Sequence, residues 1–251
     1  MHFYTTKSVR LPFTVYRSPI HLLTNLPTMK PLYLLADSAL LFQENQAGLP
    51  ALHSIRTHLE NPNPLAVYIG ASNGDAPEFY EIFQAGMERL GITRQAHVHG
   101  RFSEKDRLAL EAADVILLAG GDPFLGWKVL NQTGMRSIIE QKYREGCILL
   151  GISAGAMHLS WEAFDENQKK YHPMMQLAPF TLDVHDERND WKRLKTALPF
   201  STHHRPALAI SSGTGVVVQA DGLIRKIGKE VYEFWMEGEE VKRKKWGRGE
   251  R

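Results

Sequence analysis

The chain has a single cysteine, Cys147, in 251 residues. That excludes an intramolecular disulfide and a cysteine-built metal cluster. Cys147 sits in an apolar run and reads as a small buried hydrophobe rather than a reactive thiol. Long apolar stretches are also missing, so no segment is expected to span a bilayer as a helix. Charge of one sign is not in excess: 30 Lys and Arg face 28 Asp and Glu, for a formal net charge of +2. Nothing global therefore points to nucleic acid or a membrane surface. There is no internal repeat and no low-complexity linker. Acidic residues are absent from positions 1–28, which carry Lys7, Arg10 and Arg17 with Pro12, Pro19 and Pro27. This composition is compatible with a transit peptide, but it lacks the apolar core of a secretory signal, and the prolines break an amphipathic helix. We expect an extension over 1–28, one domain over 29–240, and a basic tail over 241–251. The tail holds Lys242-Arg243-Lys244-Lys245, Arg248 and Arg251, and its expected state is solvated rather than bound to nucleic acid.

What is present is an alternation of apolar runs and helix-period segments. Leu32–Ala36, Leu65–Ala71, Ala96–Val98, Asp114–Ala119 and the run ending at Gly151 read as strands. Helices are expected over Leu49–Leu59, from Phe79 to Leu90, from Ser103 to Ala112, over Phe124–Leu130 and over Met135–Glu145. Strands this apolar must be buried on both faces. Together with the intervening helices they predict an α/β fold with a mostly parallel sheet. Beyond residue 200 the pattern changes to short strands, Ala207–Ile210, Gly215–Val218, Leu223–Ile227 and Glu230–Phe234, with turns at Ser212-Gly213 and Asp221-Gly222. These predict a hairpin-rich edge of the same domain.

In parallel sheets, ligands bind beyond the carboxyl ends of the strands. Three loops should meet there: Ser72–Pro77, Gly120–Pro123, and Gly151-Ile152-Ser153-Ala154-Gly155. The last has the Gly-x-Ser-x-Gly pattern of a nucleophile elbow. A serine on a sharp strand-to-helix turn projects its hydroxyl above the sheet, and glycines two before and two after remove bulk from the turn. The rival reading is a serine in an ordinary tight turn. Gly120-Gly121 can present unobstructed backbone N–H groups to an oxyanion, with the Ala154 N–H as second donor; a plain turn is the alternative there too. A serine needs a base. The histidines offer His158, five positions on along the same helix; His172 in a polar segment; His185 at a strand end beside several carboxylates; and His203 and His204 before a strand.

These motifs taken together, Ala119-Gly120-Gly121-Asp122-Pro123, Gly151–Met157, and Leu177-Ala178-Pro179-Phe180 with Asp183-Val184-His185 and Arg188, resemble the peptidase E and cyanophycinase family of serine peptidases. Tyr68-Ile69-Gly70-Ala71-Ser72 extends the resemblance, which covers roughly residues 30–225. It implies a three-layer sandwich like the class I glutamine amidotransferases. It implies Ser153 as nucleophile, His185 as base, and an oxyanion hole of backbone N–H groups near Gly121 and Ala154. The activities it implies are hydrolysis of dipeptides beginning with aspartate and of the aspartate–arginine polymer cyanophycin. The chain departs from the family at Pro123, where an amide side chain is usual in the loop, and at Ser211-Ser212, where a family Asp-Glu pair is missing.

The expected function is a serine hydrolase that cleaves a peptide or isopeptide bond in a small, aspartyl-type substrate through an acyl-enzyme. The Gly120–Asp122 loop and Ala154 hold the oxyanion. Glu166 stands as third catalytic member, with Glu162, Asp165 and Asp183 as alternatives. Arg188, Arg193 and Asn73 are expected to contact substrate. No metal or cofactor is expected, and the chain is expected to be a cytoplasmic monomer or homodimer. Two rivals remain. One is a binding or regulatory protein on the same scaffold, motivated by the lost carboxylates at Ser211-Ser212. The other is an α/β-hydrolase esterase, whose late histidine would be His203 or His204.

Overall fold

The computed structural model describes residues 29–203 and 205–246. The 1–28 extension, His204, Arg248 and Arg251 lie outside the described residues. Strand β1 (Leu32–Leu35) leads through a 3-10 turn at Ser38–Leu41 and a short helix α1 (Ser54–Thr57) to β2 (Leu65–Ile69). Then follow α2 (Pro77–Arg89), β3 (Arg94–Val98), α3 (Glu104–Glu111), β4 (Val115–Leu118), α4 (Pro123–Gln132), α5 (Met135–Arg144), β5 (Ile148–Ile152) and α6 (Ala154–Leu159). The remainder is β6 (Glu162–Asp165), β7 (Lys170–Pro173), β8 (Thr181–Val184), α7 (Lys192–Ala197), β9 (Ala207–Ile210), β10 (Gly215–Val218), β11 (Ile224–Ile227), β12 (Val231–Glu237) and β13 (Glu240–Lys245).

Seven strands form the main sheet in the order β11-β10-β1-β5-β4-β2-β3. β1, β5, β4, β2 and β3 run parallel, and β10 and β11 add an antiparallel edge. Side chains alternate between the two faces of a strand, and β1 shows the consequence. Leu32 and Leu34 enter one core with residues of α3, α4, α5 and α6, including Leu110, Leu130, Ile139 and Leu159. Tyr33 and Leu35 enter the other core with Leu41, Ile55, Phe83 and Met87. Both faces are buried, as the unbroken apolar runs demand, and the fold is a three-layer α/β arrangement.

A second sheet, β13-β12-β9-β8, covers the α6 side. Leu182, Val184, Leu208 and Ile210 face the first core, and Ala207, Ala209 and Phe234 face a third cluster around Trp191 and Leu194. Three expectations change here. The stretch Leu49–Leu59 is mostly turn, with α1 alone helical; Pro50 instead bridges to Glu44. The basic run at 242–245 is a strand, not a tail: β13 pairs with β12, placing Lys244 opposite Glu233, and Lys245 ion-pairs with Glu230. Lastly, Ser212-Gly213 does not close a hairpin. β9 lies in the second sheet and β10 in the first, so the chain crosses between sheets at 211–214.

Candidate active site

Ser153 follows β5, at the carboxyl end of the central strands. Its backbone adopts φ 50° and ψ −110°, a sparsely populated conformation for a residue with a Cβ, and the mark of a nucleophile elbow. The turn is held from both sides: the Ser153 N–H donates to Leu35 O at 2.9 Å, and Ser153 O accepts from Met157 N at 3.0 Å. The flanking glycines are there for space. A Cβ on Gly155 would lie 2.0 Å from Leu118 O, and one on Gly151 would lie 2.5 Å from Ala156 N.

His185 arrives from the second sheet, immediately after β8. Its N–H donates to Ile210 O at 3.0 Å, and its φ of 44° turns the chain out of the strand. The imidazole Nε2 lies 2.9 Å from Ser153 Oγ. Ser153 and His185 are thus within hydrogen-bond reach, the geometry a nucleophile–base pair requires for proton transfer. Among the described residues, the other candidate histidines are elsewhere. His158 is fully buried under the elbow, with Nε2 2.7 Å from Pro123 O; desolvation lowers its pKa to about 4. His172 sits in β7 near Asp165. The His203 ring lies edge-on to Trp161.

The Gly120–Asp122 loop closes the site on the β4 side. Gly120 packs against Ser153: a Cβ there would be 3.4 Å from Ser153 Cβ. Gly121, at φ 137°, has Ser72 O where a Cβ would stand, at 2.1 Å. Asp122 does not serve as an oxyanion donor. Its N–H donates to Ser72 O at 2.8 Å, and its carboxylate caps α4 by accepting from Phe124 N and Leu125 N. The N–H groups of Gly120, Gly121 and Ala154 are left as the candidates. Pro123, the departure from the family pattern, occupies the first position of α4, where its fixed φ suits a helix start and its missing N–H costs nothing.

The expected third member is not beside the histidine. Glu166 stands exposed in the turn after β6, and among the described residues it makes no hydrogen bond to His185. Asp165 Oδ1 accepts from Asn167 N and Gln168 N in that same turn. Glu162 is buried and accepts from Thr181 Oγ1 and Ser201 Oγ; burial pushes its carboxyl up. Asp183 is claimed by Arg193, whose Nε lies 2.9 Å from Asp183 Oδ1 and whose Nη2 meets the same oxygen. Burial raises the Asp183 carboxyl, and Arg193 opposes that. This pairing also corrects the expectation for Arg193, which ties down β8 instead of facing substrate. Arg188 is exposed in the 3-10 turn Glu187–Asn189 and does not line the cavity beside Ser153.

A carboxylate that the spacing did not single out lies within electrostatic reach of His185. Glu187, two residues beyond His185, accepts the N–H of Ser212 on its Oε1 at 3.1 Å. Ser212 lies in the stretch where the family's acidic pair is missing. Among the described residues, Glu187 Oε2 is buried without a hydrogen-bond partner. Partial burial pushes this carboxyl up, but hydrogen bonds from its own backbone and from Ser212, and the charge of His185, hold it below the ordinary carboxylate value. Asp37 was missed too, although it follows β1 at the carboxyl end of a parallel strand, where site residues collect. Its Oδ1 accepts from Ala39 N and its Oδ2 from Gly213 N.

A cavity of about 230 Å³ opens beside Ser153 and His185. Asn73 borders it. The Asn73 Nδ2 donates to Tyr68 Oη at 2.8 Å and to Gly120 O at 3.2 Å, while Oδ1 is buried and has no partner among the described residues. Among the described residues, no group of three or more His, Cys, Asp or Glu side chains is arranged to hold a metal ion, and no helix is long and apolar enough to cross a membrane. Cys147 is buried under the sheet, its thiol pushed up to about 12 by desolvation.

Residues 32–225 match the family model of peptidase family S51. Solved structures share the fold. A peptidase from an acI-B1 Actinobacterium aligns with a TM-score of 0.65 at 18% identity, over 86% of this chain and 93% of its own. A Listeria monocytogenes EGD-e protein named for peptidase E aligns with a TM-score of 0.56 at 19% identity, over 87% of this chain and 100% of its own. No curated protein matches the sequence.

Proposed function

From the premise that the chain belongs to peptidase family S51 and is a serine-type peptidase, we propose that it cleaves a peptide or isopeptide bond in a small substrate through an acyl-enzyme on Ser153. The observation that carries this reading is the 2.9 Å approach of Ser153 Oγ to His185 Nε2 at a strained elbow. His185 takes the hydroxyl proton as Oγ attacks the carbonyl carbon. The developing oxyanion is received by the N–H groups of Gly121 and Ala154, fixed donors that need no reorganisation during the reaction. His185 then gives the proton to the departing amine. Water, deprotonated by the same imidazole, releases the acyl group.

The imidazolium formed in the first step is stabilised by the charge of the Glu187 carboxylate, which interacts electrostatically with His185 and stands in for the acidic pair absent at Ser211-Ser212. The small cavity suits one side chain with the reacting amide, since sites for drug-sized ligands run to roughly 300–1,000 Å³. Hydrolysis of a peptide mixture by wild type and Ser153→Ala, followed by mass spectrometry, tests the reading. The variant should fold as wild type and lose at least about 10⁴-fold in rate. Undiminished cleavage by the variant would remove Ser153 from the mechanism. Two observations weigh against the esterase reading: the histidine that meets the serine is His185, and His203 is engaged with Trp161.

A further inference from the structure

We infer that the cavity beside Ser153 receives an apolar side chain of the residue that supplies the scissile carbonyl, and rejects an acidic one. The inference rests on the catalytic reading above and concerns the substrate class of that same site.

The walls decide the matter. Leu41, Phe79, Ile82 and Phe83 line the cavity on the α2 side, and Leu117 and Ile152 line it from the sheet. These side chains offer a bound group dispersion contacts and removal of its apolar surface from water, and nothing for a charge. An aspartyl carboxylate entering such a site gives up its hydration and needs a cation or several strong donors in return. Neither arginine expected near the substrate is in place: Arg193 is bonded to Asp183 and to Val184 O, and Arg188 lies outside the lining.

The polar groups at the edge point the same way. Asp37 presents a carboxylate, which repels another. Asn73 has spent its amide N–H groups on Tyr68 Oη and Gly120 O, so what it has left is the unpartnered acceptor Oδ1. Neutral hydroxyls, of Tyr68 and Ser38, complete the lining; burial pushes the Tyr68 phenol above its ordinary pKa and keeps it uncharged. A site edged by acceptors and walled by hydrocarbon fits a leucyl, methionyl or phenylalanyl side chain. The aspartyl substrate expected from the family resemblance does not fit it.

The test is cleavage of a defined peptide mixture in which every residue type precedes a scissile bond, with wild type and Ser153→Ala run in parallel and products read by mass spectrometry. The expected result is cleavage after Leu, Met or Phe at least about tenfold faster than after Asp or Glu, and lost in Ser153→Ala. Preferred cleavage after Asp or Glu, still dependent on Ser153, overturns the inference and leaves the catalytic reading standing. Absence of any Ser153-dependent cleavage overturns both. A second variant locates the pocket. Phe79 is 46% exposed at the cavity, so Phe79→Arg adds a cation there without emptying the core. It should narrow the Leu-to-Asp ratio about tenfold; an unchanged ratio removes this cavity as the side-chain site.

Discussion

The two walls of the candidate catalytic cleft are built by different means. The serine wall belongs to the main parallel sheet and is set by backbone: Ser153 hangs between Leu35 O and Met157 N, and the glycines beside it leave no slack. The histidine wall belongs to the second sheet and is set by side chains: Arg193 grips Asp183 and Val184 O under β8, and Glu187 ties the His185 turn to Ser212. The first wall fixes a position. The second fixes a charge environment and can be altered without dismantling the core.

The largest expected effect breaks the serine wall. Gly155→Ala puts a methyl group 2.0 Å from Leu118 O. Backbone must move, so destabilisation of about 4 kcal/mol or more is expected in chemical denaturation, with loss of activity. A variant with wild-type stability would show that the elbow has slack.

His158 probes the underside of the same wall by pH. It is buried and neutral, with its pKa lowered from 6.5 to about 4. Because the unfolded chain binds this proton first, stability is unaffected above about pH 6.5 and falls as pH drops from there toward 4. The full loss is about 3 kcal/mol. His158→Gln should flatten that part of the stability–pH curve; an unchanged curve would place the titration elsewhere.

On the histidine wall, Arg193→Leu leaves the buried Asp183 without its partner. A loss of about 1–3 kcal/mol is expected, held down by the partial exposure of Arg193. KM should stay near the wild-type value. A large rise in KM with unchanged stability would restore Arg193 as a substrate ligand.

The smallest effect sharpens the electrostatic half of the comparison. Glu187→Gln removes a negative charge that favours the imidazolium, so kcat should fall by at least about tenfold. The acid limb of kcat/KM should also move to lower pH, with Asp37 across the cavity and Asp186 beside it unchanged. Glu187→Asp should recover part of the rate. A fall in rate with no movement of the acid limb would reduce Glu187 to a structural tie.

The difference between the walls also explains what could be read in advance. β2, β4 and β5 are continuous apolar runs, and the elbow is five consecutive residues; both signals are local, and both are where the sequence places them. His185 was reachable through its resemblance to a known motif. Glu187, Asp37 and the fate of Arg193 were not. The contacts of Glu187 and Asp37 depend on the chain crossing from one sheet to the other at 211–214, which brings Ser212 N to Glu187 and Gly213 N to Asp37. Ser212-Gly213 has the composition of a hairpin turn, and turn chemistry alone cannot say that the strands on either side join different sheets. The helix expected over Leu49–Leu59 failed for a related reason: Leu52 and Ile55 supply one apolar face, but Gly48 and Pro50 commit the start of the segment to turns. Arg193 and Glu166 looked available because exposed charge near a histidine carries no mark of its partner.

The most direct test of the central claim, that Ser153 and His185 form a working nucleophile–base pair, is labelling with a fluorophosphonate followed by peptide mapping. The account predicts one adduct, on Ser153, absent in Ser153→Ala and strongly slowed in His185→Ala. An unlabelled wild type, or an adduct formed equally well without His185, would contradict it.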